Sequence, residues 1–169
     1  METIVNKVAQ SGIITLDLEV FLPKEDQLKT FDLKPFLFME MILKEKEFRA
    51  ALKDFDWTEF ENKQVAIYCS AEAIIPMWAY MLIANYLEPY TTQIYFGTLL
   101  EVKNQILLKN IEGLDIAQYE NARMIIKGCG KHPLPEAAYL KITQKLKPVV
   151  LSLMYGEPCS TVPVYKKKR

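Results

Sequence analysis

This chain is short of histidine, cysteine and arginine. It has one His, three Cys and three Arg among 169 residues. Each shortage excludes a class of function. A Ser-His-Asp triad would have to use His132, and no GxSxG elbow accompanies it. Three cysteines, odd in number and widely spaced, make no disulfide framework and no CxxC pair. Their natural setting is a reducing cytoplasm, where they serve as free thiols or thiolate ligands. Lys plus Arg equals Asp plus Glu, at 21 each, so no basic face is expected and nucleic acid is not the expected partner. The basic tail KKKR reads as a solvated end. There is no GxGxxG and no P-loop. The opening METIVNKVAQSG has no apolar h-region, so no signal peptide is expected. The longest apolar run, Ala73 to Ala84, has 12 residues and falls short of the ~20 that cross a bilayer. It reads as a buried helix, and no membrane partner is expected. No internal repeat or low-complexity stretch stands out.

What is present is the composition of a globular domain, half hydrophobic and a quarter charged. IITLDLEVFLP alternates from Ile13, with Ile14, Leu16, Leu18 and Val20 on one face, as in a half-buried edge strand. From Pro35 to Phe60 the spacing turns helical, with Phe48, Leu52 and Phe55 at i, i+4 and i+7. Trp57 and Phe60 extend an aromatic cluster that reads as core or as a lid, not as a binding box. Then strands and helices alternate. Val65–Tyr68 is a first buried strand, and an apolar helix follows, entered at Pro76. Gln93–Phe96 is a second strand, followed by an amphipathic helix with Leu99, Val102, Ile106 and Leu107 near one face. Arg123–Lys127 is a third strand. A helix from Pro135 is kinked or broken by Pro148, and EPCSTVPVYKKKR is extended.

That rhythm predicts an α/β fold: a small three-layer parallel sheet with an N-terminal strand and helical elaboration. No linker is evident. Residues 1–169 are expected to form one domain, with 1–62 as the elaboration and 63–169 as a βαβαβα core. The expected strand order is 2-1-3, which opens a crevice between the carboxyl ends of the first and third strands.

Cys69 ends the first strand, and Cys129 follows the third by one glycine. In order 2-1-3 both sulfurs reach one crevice, and Cys159 returns to it if the chain folds back at Pro148. Gly128 and Gly130 flank Cys129; they let backbone N–H groups approach a sulfur or an anion. A thiol there, ahead of a helix N-terminus, is expected to ionise easily. Glu72 and His132 each lie three residues past a cysteine. Cys69, Cys129, Cys159, Glu72 and His132 are thus the candidate ligands of zinc or an iron–sulfur cluster. Each has a plainer reading: the cysteines as small buried hydrophobes, His132 as a loop residue, Glu72 at the positive end of a helix. Ser70 and Ser160 read as turn residues.

NKVAQSGIITLDLEVFLP, CSAEAIIPMWAYMLIANYL, IKGCGKHPLPEAAY and MYGEPCSTVPVYK resemble a bacterial family known as domain of unknown function 2480, over nearly the whole chain. The resemblance implies a setting near sulfur-mobilisation-type iron–sulfur assembly, whose proteins become candidate partners. U-type iron–sulfur scaffolds are similar in ligand type alone: three cysteines with an acid and a histidine nearby.

Three functions compete. The first is a metal-binding accessory protein using those ligands. The second is a structural or interaction domain with packing cysteines. The third is a thiol enzyme or persulfide carrier with Cys129 as nucleophile and His132 as base.

Overall fold

A computed structural model describes residues 12–128 and 130–168. Within them the chain runs β1 (Ile13–Leu16), β2 (Leu28–Asp32), α1 (Glu45–Asp54), β3 (Gln64–Tyr68), α2 (Met77–Leu87), β4 (Ile94–Phe96), α3 (Leu99–Glu112), β5 (Arg123–Lys127), α4 (Glu136–Leu146), β6 (Ser152–Glu157) and β7 (Ser160–Lys166). The fold is mixed α/β. It holds two sheets, of order β1-β5-β6-β7 and β2-β3-β4. All pairings are parallel except β6 with β7. Contacts divide the chain into two compact units. One runs to Leu22 and resumes at Asn104; the other is Pro23–Lys103. The chain thus starts the four-stranded sheet, builds the three-stranded one, and returns through α3.

The expected order 2-1-3 is corrected. The first and second strands do pair, as β3 with β4. The third, β5, lies between β1 and β6 in the other sheet. The place beside β3 is taken by β2, LKTFD, which sequence reading passed over. Only Leu28 and Phe31 in it are apolar, too few to register as a buried strand. A second correction concerns the stretch after Pro148. SLMYGE is strand β6, not the second half of a helix. Pro148 cannot continue α4, and the chain turns back into the sheet.

The three-stranded unit packs Phe48 and Leu52 of α1 and Ala79, Ile83 and Leu87 of α2 with Phe31, Val65 and Ile67. The aromatic cluster is core rather than a lid. Phe31 stacks on Phe36 and Trp57 at 5.3 and 5.2 Å, and Trp57 Nε1 donates to Leu52 O at 2.9 Å. In the four-stranded unit Leu107 and Ile111 of α3 and Ala138, Ile142 and Leu146 of α4 pack with Leu16, Met124, Ile126 and Leu153. Each fully buried Leu or Ile contributes about 2 kcal/mol.

Those two cores are built alike, because residues 45–97 and 104–156 form an internal repeat. Gln64 of β3 and Arg123 of β5 are 59 residues apart, and the same spacing carries α2 onto α4. Identical pairs at that spacing include Asp56/Asp115, Asn62/Asn121, Pro76/Pro135, Tyr80/Tyr139, Pro89/Pro148 and Gly97/Gly156. Asn62 and Asn121 share a left-handed φ of 57°. Their N–H groups donate to Tyr90 O and Val149 O, again 59 residues apart. Leu28 pairs with Gln64 as Ile13 pairs with Arg123, so β1 and β2 are equivalent too. The segments that end these strands and run on from them, TLDLEVFL and TFDLKPFL, are kin. The identities fall at turns, helix entries and core positions. They are too sparse to stand out in a sequence where apolar residues are everywhere.

Candidate functional site

Parallel strands deliver their carboxyl ends to one side of a sheet. In the four-stranded sheet, β1, β5 and β6 run parallel and feed three segments to that side: Asp17–Phe21, Gly128 with Gly130–Pro135, and the tip of the β6–β7 hairpin. Such an edge is where open α/β sheets bind ligands. A cleft of about 410 Å³ lies there, lined by Asp17, Glu19, Lys127, Gly128, Gly130, His132 and Tyr139 among others.

Asp17 starts the turn after β1 by accepting the Glu19 N–H at 3.0 Å. Its other carboxylate oxygen accepts the Lys127 ammonium at 2.8 Å. That bond holds the Asp17 carboxyl below its ordinary 3.8, against a smaller opposing effect of burial. The same bond lifts Lys127 above its ordinary 10.5. Glu19 reaches across to the loop after β5, where its carboxylate accepts the His132 backbone N–H at 2.8 Å. Gly130 makes this approach feasible, since a methyl group on its Cα would run into the Glu19 carboxylate. Gly128 has a separate reason. Its side-chain space is taken by the Tyr155 ring, 3.0 Å from where a methyl would stand, and the Tyr155 hydroxyl donates to Gly128 O at 3.3 Å.

Cys129, between these glycines, lies outside the described residues. Cys159 is exposed at the hairpin tip, where Glu157 pairs with Ser160 across the turn. β5 and β6 are adjacent, with Lys127 opposite Gly156. The segment bearing Cys129 and the turn bearing Cys159 therefore leave neighbouring strands at the same end. His132 is exposed, in the loop before α4. Cys69 and Glu72 belong to the other unit, after β3. With β3 and β5 in different sheets, the expected route by which Cys69 and Cys129 would meet, through adjacent strands, does not exist.

The three-stranded unit has its own carboxyl end. There Asp32, the equivalent of Asp17, accepts the N–H groups of Lys34 and Ser70 at 2.9 Å each, and the Ser70 hydroxyl at 2.5 Å. Burial is the largest single influence on Asp32 and favours its protonated form. The hydrogen bonds from Ser70 and Lys34 together outweigh it, and the carboxyl titrates below its ordinary value. Cys69 is half-buried against the core of this unit. Burial raises the Tyr80 phenol, and the neighbouring Cys69 adds to the rise. Glu72 is exposed. At the repeat spacing Ser70 corresponds to Cys129 and Cys69 to Gly128. One unit closes its turn with a Ser–Asp clamp. The other has cysteine at that position, and its aspartate is turned to a lysine.

The match to the family described as "Protein of unknown function (DUF2480)" covers residues 2–167. The chain belongs to this family. No curated protein and no solved structure matches it. Among the described residues no group of three His, Cys, Asp or Glu side chains gathers to hold a metal ion. No helix among them is long and apolar enough to cross a membrane.

Sequence reading missed Asp17, Glu19 and Lys127 as site residues. The first two fell on the polar side of the alternating strand from Ile13, and Lys127 stood only as the last residue of the third strand. The doublet of TLDL and TFDL was the available signal. An acid recurring after two strands, each time ahead of a buried Leu, marks a turn with a task.

Proposed function

We propose that this protein is a thiol-ligated metal-binding accessory protein, holding zinc or an iron–sulfur cluster at the carboxyl end of the four-stranded sheet. Cys129 and Cys159 are the thiolate ligands, and His132 is the imidazole ligand. The second oxygen of Glu19 is the candidate for a fourth position. One observation carries the reading: Cys159 is exposed at the tip of a hairpin that leaves the strand next to the one feeding Gly128–Gly130. A cysteine kept for packing turns toward a core, as half-buried Cys69 does in its unit. The donor set of two sulfurs, an imidazole and a carboxylate suits zinc or a cluster iron. The bound metal would supply a fixed positive centre. This chain's residues would hold it, and Lys127, already committed to Asp17, would stay out of the ligand shell. Iron–sulfur assembly proteins are the proposed partners, and a reducing cytoplasm is the proposed setting.

The test is metal and labile-sulfide content, with an absorption spectrum, on protein purified without oxygen or chelator. Stoichiometric zinc, or iron with sulfide, that is lost on Cys129→Ser supports the proposal. Metal-free protein with three freely titrating thiols overturns it. The same adjacency of β5 and β6 favours a second reading, a Cys129–Cys159 dithiol. It predicts that Cys129 reacts with an alkylating agent well below the pH at which free cysteine does.

A further inference from the structure

Between helix α4 and the β6–β7 hairpin, within the four-stranded unit, lies a slot of about 450 Å³. Cavities of about 300–1,000 Å³ are the size that takes small molecules. The floor is Ile126, Ile142 and Leu153, each at most 3% exposed. The rim is Leu140, Tyr155 and Val164, which are 68%, 42% and 54% exposed. Topology explains the opening. The repeat accounts for three strands of this sheet, β1, β5 and β6; β7 is a fourth with no counterpart in the three-stranded sheet. Val164 of that strand is the outer wall, so this wall belongs to one unit alone.

The polar groups decide what the slot can take. The Thr143 hydroxyl donates to Tyr139 O at 2.7 Å, and the Tyr155 hydroxyl to Gly128 O at 3.3 Å. Both hydrogens are spent on the chain's own carbonyls, and only the oxygens' acceptor capacity remains. Glu136 is exposed and lines the same slot. Its carboxylate has no hydrogen-bond or ion-pair partner among the described residues. Thr143, Tyr155 and Glu136 therefore offer a ligand acceptors alone. No lysine or arginine lines the slot, so an anion would meet Glu136 and no cation. At one end the Tyr139 ring meets the Tyr155 ring edge-on at 5.8 Å, and Tyr139 also lines the polar cleft beyond.

We propose that this slot binds a small apolar amine. An aromatic or branched aliphatic body lies against Ile126, Ile142 and Leu153, and its ammonium meets the Glu136 carboxylate. Apolar walls supply most of the affinity, and the single free charge sets the sign of the head group. Met154, unbranched and polarisable, lines the slot and adapts to the shape of the body.

The experiment titrates the full chain with three probes that share one body: 4-phenylbutylamine, 4-phenylbutanol and 4-phenylbutanoate. Two-dimensional NMR follows the Met154 methyl and the Tyr139 and Tyr155 rings. The amine is expected to bind with a Kd of about 1 mM or tighter, in keeping with its size. The carboxylate should bind about fivefold or more weakly, the effect of one partly exposed charge. Glu136→Gln should abolish that preference and leave the alcohol unchanged. Val164→Trp, which fills the slot from an exposed edge position, should weaken all three. No binding of the amine in the millimolar range overturns the proposal. So does a carboxylate that binds as tightly as the amine, a preference that survives Glu136→Gln, or binding undiminished in Val164→Trp. If a second copy of the chain fills the slot instead, the Met154 and Tyr155 signals shift with protein concentration alone, and that also overturns it.

Discussion

Glycine in this chain is spent where backbone and side chains crowd. Gly156 combines a φ of 123° with a space already filled by the Ser160 carbonyl, which is backbone and cannot swing away. Gly156→Ala should therefore cost about 2–3 kcal/mol in urea unfolding, the strain of a disfavoured φ plus a clash. Gly128→Ala meets the Tyr155 ring at 3.0 Å and the Gly156 Cα at 3.2 Å, looser contacts than the one at Gly156 with the Ser160 carbonyl, and should cost less than half as much. Equal losses would mean that neither neighbour of Gly128 can give. The aspartates set the pH response. Asp17 and Asp32 both titrate below 3.8 in the folded chain. A carboxyl lowered by folding stabilises fully above its unfolded value and loses that contribution as pH falls through the folded one. Unfolding free energy should thus drop below about pH 4, and Asp32→Asn should flatten that limb. An unchanged acid limb in Asp32→Asn would show that the Ser70 clamp adds nothing.

At the scale of elements, the strands that could be read from sequence were those with continuous apolar runs between turn signals. β3, VAIY, and β5, RMIIK, are such runs, and each central position is buried. β2 was missed because Lys29 and Thr30 interrupt it, and its single buried residue is Phe31. β6 was missed because SLMYG follows a helix without a loop of turn residues, and Pro148 alone does not say whether the chain kinks or turns back. Pro76 and Pro135 marked their helices correctly; each is the N-cap. The repeat makes a prediction here. Ala79 and Ala138 are both 0% exposed and face equivalent strands. Ala79→Leu and Ala138→Leu should each cost about 1–3 kcal/mol through overpacking. Chemical denaturation of both variants checks this; tolerance at one site alone would mean that the two cores are packed differently.

At the scale of the whole molecule, the α/β class was legible and the division of strands between two sheets was not. Pairing is non-local, and local sequence cannot choose the neighbour of β3, since β2 and β5 are both five-residue strands that bury apolar positions. The candidate site was half-legible for the same reason. Gly128, Gly130 and His132 were found from the loop's own chemistry. Asp17, Glu19 and Lys127 became visible only once β1 was seen beside β5. Cys69 was grouped with Cys129 because both end strands of the same kind, and in a repeated fold that likeness is what the repeat produces. If the four-stranded sheet alone supplies the thiolate ligands, the two cysteines other than Cys129 must behave differently. The direct test is metal content of Cys159→Ser and Cys69→Ser, purified side by side without oxygen or chelator. Loss of metal in Cys159→Ser with retention in Cys69→Ser is the predicted result. Retention in Cys159→Ser, or equal loss in both, would contradict a site built on that sheet.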